Sequence, residues 1–401
     1  MSTIYLTAAE AAAELGINLS TLYAYVSRGI LHSEPGLDAR SRRYRAADVE
    51  ALKKKKEERA DPRKAVERAL DWGVPVLDSG LTLIAGGRLF YRGRDAMELA
   101  RAGESLERVA ALLWLGDLDA PLPAAPPSPS PWTNTALRET AGLTPFERMQ
   151  ILLPLATVGD PRRYDLRPGT NLATGARLVS LLAAAAAGVD GPSPEGAART
   201  LARAWAADVP EAAALIDAAL VVSADHELNV SAFTARCVAS AGAPLDAVVI
   251  GGLAALGGRR HGGYTERVEA LLAEVATPGD SRARLADRLR RGEEIPGFGH
   301  NLYSEGDPRG ALLLELARER RPGPAVDLME EVAAAAFDLL GERPTLDFGL
   351  VTVARALGLP PGAALALFAV GRSVGWIAHA LEQIADGRMI RPRARYTGPE
   401  P

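Results

Sequence analysis

The chain has 401 residues and a formal net charge of −4, with 48% hydrophobic and 24% charged residues. This is ordinary globular usage at a length that holds two or three domains, and the mild acidity excludes a chain coated throughout for nucleic acid while leaving room for a local basic patch. The single cysteine, Cys237, excludes an internal disulfide and a multi-cysteine metal site, as suits a reducing cytosol.

The first residues, MSTIYLTAAEAAAELG, lack a basic-then-apolar signal pattern, and the longest Ala/Leu-rich run, near 178–188, is too short to span a bilayer. No membrane partner and a cytoplasmic location are therefore expected. In 6-LTAAEAAAELGINLSTLYAYVSRGI-30, Thr7 is placed to cap a helix over 8–15 and Gly16 to end it. Ser20 is then placed to cap a second helix ending near Gly29. Two short helices joined by a tight glycine-containing turn make a helix-turn-helix. Residues 31–45 read as an extended or hairpin segment ending in 40-RSRRYR-45, and 46–59 as a third helix. This order resembles the small winged-helix domains of excisionase-like and mercury-resistance-regulator-like proteins. Residues 1–60 hold ten Lys/Arg against eight Asp/Glu, an excess whose grouping matters more than its size, because phosphate contacts need cations on one face. Arg28, Arg40, Arg42, Arg43 and Arg45 are the candidate DNA contacts. The alternative is a helical packing module whose basic residues are merely solvated.

Residues 61–75, with Pro62, read as a linker between this domain and a second region at 76–401. That region opens with a hairpin, 81-LTLIA-85 and 88-RLFY-91, around the two-residue turn Gly86-Gly87. Helices follow at about 95–101 and 106–115, then a proline-rich break at 120–132 that is expected to be extended or mobile. From Pro145 onward the pattern is almost wholly helical. In 266-ERVEALLAEVA-276, Val268, Leu271, Leu272 and Val275 recur at i, i+3, i+4 and i+7.

Of five histidines, three sit in short unusual strings: 224-ADHELN-229, 257-GGRRHGGY-264 and 297-GFGHNLYSEGDPR-309. Flanking glycines let backbone approach a ligand closely, which a packed histidine does not need. His379, in 376-WIAHALE-382, reads as structural, and His32 as a surface residue. No histidine pair has the close helical spacing of a metal site, so no metal is expected.

These strings resemble the citrate synthase family. ADHELN with 233-FTARCVAS-240 matches its oxaloacetate-binding histidine segment, HGG its first catalytic histidine, and GFGH…DPR its second. The string 345-TLDF-348 resembles the loop of the catalytic aspartate, while 371-GRSVGW-376 and 391-RPRARYTG-398 resemble the two C-terminal arginine segments. Upstream, 90-FYRGRDAMELA-100 resembles the opening hairpin and helix, so the likeness runs in order from about Val76 to Gly398.

The resemblance implies a mainly α, two-domain helical fold preceded by the small winged helix-turn-helix domain, with the smaller catalytic domain at about 263–356. It implies that Asp347 is the base that deprotonates an acyl thioester, that His261 holds the thioester oxygen, and that His300 donates to the ketone oxygen of oxaloacetate. His226, Arg309, Arg372 and Arg391 would grip oxaloacetate, Arg391 reaching into the partner's site of a homodimer. Ile295, Gly297, Gly299, Asn301 and Thr345 would lie along CoA, Thr345 standing where the family often has asparagine. No cofactor is implied, since acetyl-CoA is a substrate. Three departures lie on the CoA side: Arg259-Arg260 for the usual Pro-Leu, Tyr264-Thr265 for a small residue and asparagine, and Asn301-Leu302-Tyr303 for Arg-Val-Tyr. Two other readings stay open: a 2-methylcitrate synthase using propionyl-CoA, and a DNA-binding regulator that senses oxaloacetate, citrate or acyl-CoA.

Overall fold

A computed structural model describes residues 5–28, 30–35, 42–46, 48–49, 52–53, 77–123, 132, 134–275 and 280–399. Arg40, the linker 61–75, most of the expected third helix and most of the proline-rich break lie outside the described residues. The chain divides into two compact units, Met1–Asp78 and Ser79–Pro401.

In the first unit, Thr7 caps the helix Ala8–Glu14 through a capping box: its Oγ1 accepts from Glu10 N at 3.3 Å, and Glu10 Oε2 accepts from Thr7 N at 2.7 Å. The second helix, Leu19–Ser27, starts two residues earlier than expected, because Asn18 and not Ser20 is its cap. Asn18 has the extended backbone a cap requires and its Oδ1 accepts from Thr21 N at 2.8 Å, whereas Ser20 lies within the first turn and donates to that same oxygen. Strand Arg42–Arg45 lies between Tyr5–Thr7 and Glu34–Pro35, antiparallel to both. Ala11, Leu15, Leu22, Leu31, Tyr44 and Val49 form a small core beneath this sheet and the two helices.

The second unit is almost all helix. Its hairpin, Thr82–Ala85 and Arg88–Tyr91, turns at Gly86-Gly87 with both glycines at positive φ, and a two-residue strand, Arg94–Asp95, adds a third member that the sequence reading missed. Around the 24-residue helix Ala363–Asp386 pack Ala212–Ser223, Val230–Ser240 and Leu245–Leu256. The central helix has the length and apolarity of a membrane span, yet 94% of its most apolar window is buried by the rest of the protein. Tyr91 Oη donates to Val221 O at 3.0 Å and Trp114 Nε1 to Val374 O at 2.9 Å, which fixes the hairpin and the helix Leu106–Leu115 against the core helices. At the far end of the central helix, Glu382 accepts from Ser79 Oγ at 2.8 Å and from Gly80 N at 2.9 Å, joining the two ends of this unit.

One tight crossing lies at Gly252, where an added Cβ would stand 2.5 Å from the indole of Trp376, itself fully buried. A Gly252→Ala variant is therefore expected to lose about 1–3 kcal/mol through overpacking, although alanine in a helix interior is otherwise favoured by about 1 kcal/mol. Urea unfolding measures this, and an unchanged or raised midpoint would show that the crossing has slack.

Candidate active site

The helix Ala212–Ser223 ends where a short loop, 224–229, begins, and the buried His226 sits in that loop. The loop is tightly wound: Glu227 has φ +52°, a conformation that side-chain-bearing residues rarely adopt. His226 Nε2 lies 2.9 Å from Tyr303 Oη, and its ring stands nearly perpendicular to that of His300 with centroids 5.4 Å apart. Tyr303 also packs on His300 at 4.9 Å, and the Arg309 guanidinium lies 5.6 Å from the Tyr303 ring centre. Sequence reading therefore assigned roles to three members of this cluster and gave none to Tyr303, which it noted only among the departures after His300.

Arg309 lies in the first turn of the helix Pro308–Arg320, directly after its cap Asp307. Asp307 grips Arg309 in a fork, with Nε–Oδ1 at 2.9 Å and Nη2–Oδ2 at 2.8 Å, and both side chains are buried. The same carboxylate accepts from Leu346 N at 3.0 Å, which ties the start of the helix Leu346–Ala356, and with it Asp347, to the arginine. The loop 295–301 runs alongside: Thr345 N donates to Gly297 O at 2.8 Å and Gly299 N to Arg343 O at 3.1 Å. Gly297 and Gly299 have φ of +95° and +76°, and a Cβ at Gly299 would stand 2.6 Å from Glu342. Ile295 is buried in this loop, whereas Asn301 is exposed.

His261 lies in the tight turn before the helix Tyr264–Glu274, with Nε2 2.8 Å from Ser231 Oγ and its ring edge-on to Phe368. The Arg372 guanidinium lies 4.9 Å from the centre of that same phenyl ring, and its Nε donates to Ser223 O at 2.7 Å. Asn229, whose Oδ1 caps the helix Val230–Ser240, and Ser231, which falls between two strings that sequence reading had singled out, are further residues it gave no role.

Burial sets the electrostatics. It pushes the Asp347 carboxyl up to about 7, against the opposing pull of the Arg309 charge. It lowers His261 to about 3, with Arg372 adding to the effect, and depresses His226 and His300 as well, so all three imidazoles are neutral near pH 7. In His300 the proton can be placed: Leu302 N–H donates to Nδ1 at 3.1 Å, so the neutral ring carries its hydrogen on Nε2. Arg372 is lowered to about 10 by burial and stays charged. Asp347 Oδ1, Thr345 Oγ1 and Arg372 Nη2 are all buried without a hydrogen-bond partner among the described residues. Such groups are costly unless something completes them.

Arg391 stands apart, exposed in the segment 387–399 that follows the central helix, with no recorded contact to these residues among those described. In the first unit Arg28 and Arg42 are exposed, while Arg43 and Arg45 both pair with Glu34, at 3.2 and 2.9 Å.

Comparison with known proteins shows the family. Residues 69–393 match the family model for the citrate synthase C-terminal domain, and residues 5–57 that for a helix-turn-helix domain. The chain is 34% identical to the citrate synthase of Haloferax volcanii over 83% of its own length and 96% of the relative's. It is 29% identical to the 2-methylcitrate synthase of Mycobacterium tuberculosis strain Erdman over 88% and 96% of the two chains. Its fold matches that of the Thermoplasma acidophilum citrate synthase solved as a ternary complex with carboxymethyl coenzyme A and oxaloacetate, with a TM-score of 0.65 at 22% identity, covering 82% of this chain and 95% of that one. The chain thus belongs to the citrate synthase family of acyltransferase-type enzymes, with a helix-turn-helix domain ahead of the family region.

Proposed function

We propose that the protein condenses acetyl-CoA with oxaloacetate and hydrolyses the resulting thioester to citrate and CoA. The observation that carries this reading is Asp347, a part-buried residue whose Oδ1 is withdrawn from solvent without a partner and whose carboxyl is pushed up to about 7, beside the buried Arg309 and Arg372. Abstracting a weakly acidic proton from an acyl methyl calls for a base poised at that pH. Asp347 takes the proton, His261 supports the thioester oxygen, and His300 presents its Nε2–H to the ketone oxygen. Arg309 and Arg372 hold the carboxylates of oxaloacetate with His226. A neutral imidazole suits both donor roles, since it stabilises developing negative charge without first having to be protonated. The segment 263–356 is the smaller domain that closes over the substrates. Relatives named citrate synthase and 2-methylcitrate synthase both occur, and one methylene is worth only about 1–3 kcal/mol in a pocket. Propionyl-CoA is therefore assayed beside acetyl-CoA.

Asp347→Asn is expected to lower condensation at least about a hundredfold with oxaloacetate binding retained. Thiol release measures it, and near wild-type turnover would remove Asp347 from the role. In the wild type, kcat/KM should fall as pH drops below about 7, because the base must be ionised. Stability follows the opposite sense: a raised carboxyl pKa favours the native state at low pH, and that contribution is lost as pH rises through about 7. Asp347→Asn should therefore melt higher than wild type at pH 8 and nearly level with it at pH 4.

We further infer a homodimer in which Arg391 of the partner subunit completes each site. Its support is the exposed position of Arg391 together with an uncovered apolar stripe, Ile151, Leu155 and Val158, which are 44%, 59% and 63% exposed. Mixing Arg391→Ala with Asp347→Asn under subunit exchange should restore about a quarter of wild-type activity, since a statistical mixture places one intact site in half of the dimers. Proven exchange with no recovery would place Arg391 elsewhere. Two-fold symmetry also suits the helix-turn-helix, which we infer binds duplex DNA along the exposed side of Leu19–Ser27, where Tyr23 is 51% exposed. A mobility shift of the full chain should appear at low salt and weaken at moderate salt, and no shift at low salt would overturn the assignment.

A further inference from the structure

One buried histidine has no part in the chemistry above. His379, on the central helix Ala363–Asp386, is fully buried. Arg236, on the helix Val230–Ser240, directs Nη1 at His379 Nδ1 at 3.4 Å, donates from that nitrogen to Glu382 Oε2 at 3.0 Å, and donates from Nε to Gln383 Oε1 at 3.0 Å. A guanidinium has donors only, so Nδ1 accepts and the imidazole proton sits on Nε2. That Nε2 lies 3.3 Å from Asp225 Oδ1. The pair falls short of a formed hydrogen bond, and among the described residues neither atom has a hydrogen-bond partner. The other oxygen, Asp225 Oδ2, accepts from the Thr82 hydroxyl at 2.6 Å. Burial works against an ionised Asp225, yet the facing His379, the Arg372 charge and the Thr82 hydroxyl hold its carboxyl below the usual range.

Asp225 immediately precedes His226, in the loop 224–229. Several anchors of this loop run to distant elements: Gly375 N donates to Ala224 O at 3.0 Å, Tyr91 Oη to Asp225 O at 3.2 Å, and Ile84 N to Glu227 Oε1 at 3.2 Å. The positive φ of Glu227 is a strained state that persists only while its surroundings over-determine it. From the loop's far end, Asn229 Oδ1 reaches Ser231 Oγ at 2.8 Å, and Ser231 Oγ stands 2.8 Å from His261 Nε2. Both candidate imidazoles therefore take their placement from one short piece of chain.

We propose that His379 is a positioning residue: held by Arg236 and facing Asp225, it fixes the loop 224–229, and so orients His226 directly and His261 through Asn229 and Ser231. The placement of the two imidazoles stands independently of the reaction, whereas its consequence for oxaloacetate rests on the proposed function.

The test reads both separately. The five histidines of the full chain are labelled in the imidazole ring, and their NMR signals are compared in wild type, His379→Ala and His379→Gln. Removing the imidazole is expected to move the His226 and His261 signals and leave His32 in place. Glutamine, which can donate an N–H to Asp225, should move them less. If the alanine variant does not fold, Thr82→Val removes the other side-chain donor to Asp225 and gives the same readout. Unmoved His226 and His261 signals in a folded variant would overturn the proposal. In the thiol-release assay, His379→Ala should raise the KM for oxaloacetate about fivefold or more, with the KM for acyl-CoA little changed and partial rescue by glutamine. Equal losses in both KM values, or a lowered melting temperature alone, would make His379 only structural. Moved signals in a chain that shows no condensation even as wild type would uphold the positioning and overturn the reaction instead.

Discussion

Asp307 is a carboxylate almost wholly withdrawn from water that accepts hydrogen bonds from Arg309 N, Nε and Nη2 and from Leu346 N. The rest of the site hangs on this acceptor. It caps one helix, neutralises a guanidinium that could not otherwise be buried, and holds the start of a second helix that carries Asp347. Burial alone would lift its pKa, but the Arg309 charge wins and keeps the carboxyl below its ordinary range. Breaking a buried pair on one side typically costs about 3–5 kcal/mol, because the remaining charge has nowhere to go. The geometry of the candidate base and of the candidate carboxylate grip is therefore one geometry.

Around that anchor, withdrawal from water acts on acids and bases in opposite directions. It raises Asp347 into the working range of a base and lowers the imidazoles out of theirs. The same environment leaves Asp347 Oδ1, Thr345 Oγ1 and Arg372 Nη2 without partners. Buried polar groups seldom stay unpaired, and under the proposed function the substrates complete them.

What could be read from the sequence was local or came from ordered strings. Thr7, the hairpin turn at Gly86-Gly87 and the one-sided pattern Val268, Leu271, Leu272 are set by neighbours three or four residues away, and each formed as expected. Asn18 and Ser20 are both good caps, and only the backbone conformation decides between them, so that boundary shifted. Asp307, Tyr303, Asn229 and Ser231 act through contacts that span distant segments, such as the 77 residues between His226 and Tyr303, and nothing in their immediate strings marks those partners. His379 was legible as a packed histidine, but its neighbours Arg236 and Asp225 were not. Grouped arginines suggested a cationic face near 40–45, yet Arg43 and Arg45 pair with Glu34, which no spacing rule foretold.

The pairing of Ser79 and Gly80 with Glu382 closes the second unit across about three hundred residues of chain. During synthesis the helices Ala212–Ser223 and Leu245–Leu256 leave the ribosome long before Ala363–Asp386, the surface on which they pack. Their apolar faces must wait uncovered for more than a hundred residues, and topologies with such distant pairings fold slowly and expose sticky intermediates. The first unit, whose core among the described residues spans residues 6–52, closes at once. A nascent chain of this protein is thus a finished small domain trailing an open hydrophobic scaffold. Its demand for chaperones peaks late in translation and ends only when the last long helix arrives.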